Sequence, residues 1–150
     1  DLSVTALTAV AVSLGHGQTV HTGGRRLDRP GAWMEATVLS GVTPRMRAWD
    51  EEIFGPVAVV HRVADADEAV ELANGSPFGL GGSVHGADVE AARRVAERIE
   101  SGMVFVNEHT GTAPDLPFGG IKRSGVGREL GRSGIEEFAH KKLIHTPKRG

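Results

Sequence analysis

Short apolar stretches with two different periods alternate along the chain, and they predict most of its secondary structure. Residues 35–42, 57–63 and 103–107 are rich in β-branched or continuous apolar side chains and predict strands, the last of them typical of a buried strand. Residues 87–102 place apolar side chains on one helical face, which predicts an amphipathic helix ending near Gly102. That face consists of Val89, Ala92, Val95, Ala96 and Ile99.

Capping and turn residues define the other elements. Asp65 and Glu68 have the spacing that satisfies free amides at a helix start, so a helix is predicted from there to about Asn74. The remaining predicted elements are helices within 1–15 and 128–140 and strands within 16–24, 79–86 and 141–146. Strands that alternate with helices indicate an α/β fold with a layered, substantially parallel sheet and flanking helices.

Composition narrows the class of protein. The chain has 150 residues, 39% hydrophobic and 24% charged, with a formal net charge of -2. These values predict a globular domain with one core and no nucleic-acid partner recruited by bulk charge. The uncharged stretch near the start is shorter than a membrane span, so we expect no membrane partner and a cytoplasmic location.

The residue types available also limit the chemistry. There is no cysteine, so these 150 residues contain no thiol nucleophile and no thiolate metal ligand. The seven histidines lack a metal-ligand spacing, and no metal site is predicted. Between residues 108 and 127 the regular pattern stops, and a loop of that length in a compact domain usually has a function.

Four motifs together resemble the C-terminal part of the catalytic domain of NAD(P)-dependent aldehyde dehydrogenases. They are EEIFGPV at 51–57, SPFGLGGSV at 76–84, MVFVN at 103–107 and LPFGGIKRSGVGREL at 116–130. The likeness extends from about Thr19 to Ile144, with the motifs in the family's order. MVFVN followed by TAPDLPFGGIKRSG is most similar to succinate-semialdehyde dehydrogenases. The resemblance implies that residues 1–150 are an incomplete catalytic domain without the nucleotide-binding domain.

In EEIFGPV the resemblance assigns cofactor contacts to Glu52 and Phe54. A carboxylate accepts two hydrogen bonds from a vicinal diol, and an aromatic side chain bounds one face of a flat ring. In the family the second glutamate holds the nicotinamide ribose of NAD or NADP, and the phenylalanine contacts the nicotinamide end. Pro56 would fix the turn into the following strand by restricting φ. The alternative is an exposed acidic pair followed by a core phenylalanine.

The irregular loop is the expected substrate side. In the family this region closes over the aldehyde tunnel, which implies that residues 109–115 line the entrance, with Thr112 and Phe118 as wall positions. Three glycines, Gly119, Gly120 and Gly125, would let the backbone pass close to neighbouring elements. The alternative is a glycine-rich surface loop without a ligand.

Glu129 is the third candidate, as the glutamate of GREL. In the family this residue passes protons to the general base, and a partly buried carboxylate suits that task because burial moves its pKa toward neutrality. The alternative is a glutamate on a helix surface that pairs with Arg128 or Arg132.

Together these residues imply part of an oxidoreductase that oxidises an aldehyde, succinate semialdehyde or a relative, to the acid with NAD or NADP. The family's cysteine nucleophile is expected upstream of Asp1, so the chain alone is predicted to be inactive and to bind NAD weakly or not at all. Residues 140–146 are predicted to form an oligomerisation strand in a homo-oligomer. Two alternatives stay open: a non-catalytic folded relic or interaction module, and an enzyme for simple aliphatic aldehydes.

Overall fold

The computed structural model describes residues 17–148, which form two compact units divided between Ala64 and Asp65. Unit 1 is the part before this division and unit 2 the part after it. The length of the chain predicted a single hydrophobic core. The structure instead divides into two compact units. The helix predicted within residues 1–15 lies outside the described residues.

Within residues 17–64, unit 1 contains a three-stranded sheet and one short helix. Strands β1 (Thr19–Thr22), β2 (Thr37–Ser40) and β3 (Val57–Val60) lie side by side in that order. β1 runs antiparallel to β2, with an irregularity after Val20, whereas β2 and β3 are parallel and in continuous register. Helix α1 (Arg47–Asp50) lies in the connection from β2 to β3. The predicted strands in this part of the chain are thus confirmed, each somewhat shorter than its apolar pattern.

The core of unit 1 is built around Leu39, which is completely buried. Val42, Met46 and Ala48 are buried around it, and half-buried side chains of the strands and of the α1 region pack against this cluster. Successive residues of β2 are alternately buried and half-buried, as expected for a strand with one covered face. The connection from β2 to β3 therefore starts and ends on the same core.

Unit 2 holds three helices and four strands. In chain order they are α2 (Ala66–Asn74), β4 (Phe78–Gly79), β5 (Gly81–Val84), α3 (Val89–Ala96), β6 (Met103–Val106), β7 (Ile121–Lys122) and α4 (Gly131–Glu137). β5 pairs in parallel with β6, and β4 pairs antiparallel with β7. β4 and β5 are separated only by Leu80 yet take different partners, so they belong to two sheets. The α/β class is confirmed, but the described residues form three small sheets rather than one substantially parallel sheet.

The two longer helices begin where their caps predict. Asp65 accepts hydrogen bonds of 3.0 Å from the amides of Asp67 and Glu68, which fixes the start of α2. Asp88 does the same for α3 through the Ala91 amide at 2.9 Å. Ala92 and Ala96 are the buried residues of α3, on the apolar face that the sequence predicts.

The end of α3 differs from the prediction. The helix ends at Ala96, and tighter turns follow in which the amides of Arg98 and Ile99 bond to carbonyls three residues earlier. Gly102 instead begins the approach to β6, which is half-buried along its whole length rather than buried. A Cβ at Gly102 would overlap the carbonyl of Gly119, so glycine is required there by close backbone passage.

Residues 141–148 have no helix or ladder pairing within the described chain. A strand that pairs only with another subunit shows no partner in a single chain, so the oligomerisation strand at 140–146 stays a prediction. Between residues 17 and 148, no helix is long and apolar enough to cross a membrane.

Candidate functional site

The two adjacent glutamates of EEIFGPV have different environments. Glu51 accepts two hydrogen bonds from the Arg47 guanidinium, 2.7 Å from Nε and 2.5 Å from Nη2, one helical turn earlier. The hydrogen bond from Arg47 lowers the pKa of the Glu51 carboxyl below its usual range. Glu52 is exposed, and its carboxylate has no hydrogen bond or ion pair with residues 17–148. The pair thus divides into one structural carboxylate and one that is available to a ligand.

The next two side chains point to opposite environments. Ile53 is half-buried and packs against the core of unit 1, whereas Phe54 is 57% exposed. Phe54 is therefore not the core residue of the alternative interpretation. An exposed phenylalanine beside an unpaired carboxylate has the properties that a ribose with an attached flat ring requires.

Backbone hydrogen bonds hold this segment rigidly against the sheet. The Gly55 amide bonds to the Ile53 carbonyl, and the Val57 amide bonds to the Gly55 carbonyl, both at 2.8 Å. The Pro56 carbonyl accepts a 2.8 Å bond from the Thr37 amide at the start of β2. The Glu52–Phe54 segment is consequently fixed at the amino ends of β2 and β3.

Unit 2 contains a cavity of about 410 Å³ formed by β6 and the loop that follows it. Thr112 and Phe118, the two predicted wall residues, both line this cavity. Most other lining side chains are apolar, and Glu108 is the one charged residue in the lining that residues 17–148 provide. The irregular loop thus forms one side of an open cavity wide enough for a short carbon chain, with a hydroxyl and a carboxylate at its wall.

Glu129 is joined to the cavity wall through the backbone. Its amide and carbonyl exchange hydrogen bonds of 2.7 Å with the carbonyl and amide of Phe118. Its side chain is exposed and does not line the cavity described above. Arg128 donates instead to the carbonyls of Gly120 and Gly127, and Arg132 pairs with Glu136. The arginine pairing proposed as the alternative for Glu129 is therefore not formed.

Two of the three glycines predicted to allow close passage do so, and the third is favoured by its backbone conformation. A Cβ at Gly119 would lie 2.5 Å from the Gly127 carbonyl oxygen, and one at Gly120 would lie 2.7 Å from the Ser124 Cβ. Gly125 has open space around it, but its φ of +114° disfavours other residues. Glycine is therefore favoured at position 125 by its positive φ, and not by close backbone passage as predicted.

Asn107 is a site-shaping residue that sequence reasoning missed. It follows β6 with φ of +55°, and its side-chain amide bonds to both the amide and the carbonyl of Gly86, at 2.8 and 2.9 Å. These bonds fix the chain just before Glu108, which lines the cavity. An asparagine directly after an apolar strand was the available signal, because asparagine tolerates the left-handed region.

The candidate residues divide between the units. Glu52 and Phe54 lie in unit 1, and Thr112, Phe118 and Glu129 lie in unit 2. Among residues 17–148 no group of three or more histidine, aspartate or glutamate side chains is arranged to hold a metal ion. Unit 1 thus offers an acceptor for hydroxyl groups and an aromatic face, and unit 2 separately offers an apolar cavity.

Comparison with known proteins shows the family of the chain. Residues 5–144 match the model of the aldehyde dehydrogenase family, so the chain belongs to that family. It is 58% identical over 130 residues to a succinate-semialdehyde dehydrogenase for NADP(+) of Deinococcus radiodurans, covering 87% of this chain and 27% of that protein. It is 48% identical over 128 residues to such an enzyme of Mycobacterium bovis, covering 85% of this chain and 28% of the relative.

A solved structure gives the same result. The succinic semialdehyde dehydrogenase of Streptococcus pyogenes, determined in complex with NADP+, superimposes with a TM-score of 0.92 at 39% identity. The match covers 98% of this chain and 32% of that chain. The 150 residues therefore span between a quarter and a third of the relatives they resemble.

Proposed function

We propose that this chain is the part of an NAD(P)-dependent succinate-semialdehyde dehydrogenase that supplies cofactor and substrate contacts, in a cytoplasmic homo-oligomer. The observation that carries the proposal is the division of EEIFGPV into a paired Glu51, an unpaired Glu52 and an exposed Phe54. Both residues lie on a segment that backbone hydrogen bonds fix, and together they offer an accepting carboxylate and an exposed aromatic face to a ligand.

Glu52 would accept hydrogen bonds from the nicotinamide ribose, and Phe54 would bound the nicotinamide ring. Both are fixed by the backbone bonds around Gly55 and Pro56, so little ordering would be needed when the cofactor binds. The bound cofactor supplies the acceptor for the hydride of the aldehyde.

Thr112 and Phe118 would form the substrate wall, and Glu129 would pass protons. The cavity of about 410 Å³ and its apolar lining support a short carbon chain as substrate. Glu129 is held to Phe118 through two backbone bonds, which would keep its main chain at a constant position relative to the cavity wall.

The thiol that attacks the aldehyde must come from sequence outside these 150 residues, which contain no cysteine. We propose that the chain alone does not turn over aldehydes. The named relatives, of which the match covers only 27% and 28%, support a division of the enzyme in which this segment contributes only some of the site.

The test is a chimera with the Deinococcus radiodurans relative. Its matching 130-residue segment is replaced by the corresponding segment of this chain, and reduction of NADP+ by succinate semialdehyde and by propanal is measured. The proposal predicts activity with a higher kcat/KM for succinate semialdehyde, and no activity of the isolated chain. A folded but inactive chimera would favour the relic or interaction module, and a preference for propanal would favour a simple aliphatic substrate.

A further inference from the structure

A groove of about 610 Å³ lies on unit 1, away from the candidate cofactor segment. It is formed where β2 and β3 end, by strand residues of one sheet face and by residues that directly follow the two strands, whereas Glu52 and Phe54 lie where β3 begins. Its lining consists of His21, Val38, Ser40, Gly41, Val60, His61 and Arg62. In open α/β sheets the carboxyl ends of parallel strands are the usual place for a ligand.

The groove collects hydrogen-bond donors and lacks acids. His21 Nε2 and Ser40 Oγ lie 2.7 Å apart, which links β1 to the end of β2. His61 follows β3 and packs edge-on against Trp49, with ring centroids 5.2 Å apart. Arg62 has no ion pair with any residue from 17 to 148, and neither aspartate nor glutamate is among the groove residues.

The groove combines an apolar floor with polar side chains around it. Val38 and Val60 give an apolar floor, and Val60 is 52% exposed. Two imidazoles, one hydroxyl and one guanidinium stand around that floor. A guanidinium and N–H or O–H donors without a competing carboxylate recognise tetrahedral oxyanions, because each oxygen accepts several hydrogen bonds.

We propose that this groove binds a phosphate dianion, with Arg62 as its permanent positive charge. Ser40 donates from the β1–β2 side while its oxygen accepts the Nε2–H of His21, and His61, which packs against Trp49, donates from the β3 side. The site does not depend on the proposed function, since it shares no residue with the cofactor segment or the cavity of unit 2.

The test uses the whole 150-residue chain and inorganic phosphate as the probe. Phosphate is added at constant ionic strength while the imidazole resonances are followed by NMR. We expect saturable shifts at His21 and His61, with half-saturation at about 1 mM or below, and no saturable shift at His109 in unit 2. Acetate at the same ionic strength is expected to give no saturable shift.

Two substitutions separate the site from surface charge in general. Arg62→Gln is expected to weaken binding at least about tenfold, the effect of losing one charged hydrogen bond. Arg25→Gln, on an exposed arginine at the opposite end of β2, is expected to leave binding unchanged. Unaltered imidazole resonances of the free Arg62→Gln chain would show that the sheet is intact, and Ser40→Ala provides a second, milder loss.

Three results would overturn the proposal. They are the absence of saturable shifts at His21 and His61, equal shifts at all histidines, and equal affinities of the Arg62→Gln and Arg25→Gln chains. Binding of acetate as tight as that of phosphate would also contradict it, because the groove would then select only negative charge.

Discussion

Phe118 and Glu129 exchange two backbone hydrogen bonds of 2.7 Å, so a residue that lines the cavity is tied to the chain two residues before α4. Residues 119–128 therefore form a loop whose two ends are joined by these hydrogen bonds. Its close passages depend on glycine, at Gly119 against Gly127 and at Gly102 against Gly119. The cavity wall is therefore set by backbone contacts, and its geometry should respond to a single added methyl group.

Gly102→Ala tests that dependence. The new Cβ would overlap the Gly119 carbonyl, and we expect a loss of about 1–3 kcal/mol in the free energy of unfolding of unit 2. Gly111→Ala is the control, because its Cβ would find its nearest atom 3.9 Å away and should change stability by less than about 0.5 kcal/mol. Urea unfolding followed by circular dichroism measures both, and equal midpoints for the two chains would contradict the prediction.

Glu136→Gln should reduce stability at neutral pH but not in acid. The hydrogen bond from Arg132, and then that from Lys141, lowers the pKa of the Glu136 carboxyl in the folded chain. A lowered folded-state pKa gives stability that is present above the unfolded pKa and is lost as the pH falls through the folded one. Because the pair is exposed, the expected change in Tm at pH 7 is only about 1–2 °C.

The control for this experiment is Glu137→Gln, since the Glu137 side chain forms no ion pair with residues 17–148. Thermal unfolding of the three chains is compared at pH 7 and near pH 2. We expect the Tm values of the Glu136→Gln chain and the parent to converge at the lower pH. A difference that persists there would mean that the substitution acts through packing and not through charge.

The chain is predicted to self-associate through residues 140–146. Leu143 and Ile144 are 90% and 79% exposed, and the segment has no ladder partner within the described chain. Exposed apolar residues on an unpaired extended segment favour pairing with a second copy. Ile144→Pro removes an amide donor and should shift the population toward monomer, whereas Ile144→Val should not.

Light scattering at tens of micromolar distinguishes these outcomes. Monomeric parent protein, or a parent and an Ile144→Pro chain of equal mass, would count against an interface on this segment.

The isolated chain should bind NAD weakly or not detectably. Glu52 and Phe54 provide contacts for one end of the cofactor only, and these contacts must offset the whole loss of translational and rotational freedom. Calorimetry on the 150-residue chain measures the affinity. A Kd near about 10 µM, equivalent to about 7 kcal/mol, would show that the chain contains more of the cofactor site than Glu52 and Phe54.

Local chemistry was predictable from the sequence, and long-range backbone pairing was not. The Asp65 cap depends on residues three positions apart, and the β2 strand depends on its run of β-branched and apolar residues. Both were predicted from the sequence. Phe78 pairs with Lys122, and Phe118 pairs with Glu129. These segments have no hydrophobic periodicity, so the sequence does not predict that they pair. Division into two units depends on how many contacts cross Ala64–Asp65, which composition does not reveal.

Within the site, the sequence identified residue types better than their environments. It assigned ligand roles to Glu52 and Phe54 through a resemblance, but it gave no sign that Arg47 would neutralise Glu51 and leave Glu52 unpaired. That difference depends on α1, which spans only Arg47–Asp50 and has no amphipathic pattern of its own. A pair at i and i+4 is visible in the sequence only after a helix is assumed.

The assignment of the cofactor contact to Glu52 is tested most directly in the chimera with the Deinococcus radiodurans relative. There, kcat/KM is compared after substitution of each of the two adjacent glutamates. Glu52→Ala should lower kcat/KM for oxidation of succinate semialdehyde by about ten- to a hundredfold, because a charged hydrogen bond to the cofactor is lost. Glu51→Ala should change it by less than about threefold, since Glu51 is engaged with Arg47. Equal effects of the two substitutions, or a larger effect at Glu51, would contradict the assignment of the cofactor contact to Glu52.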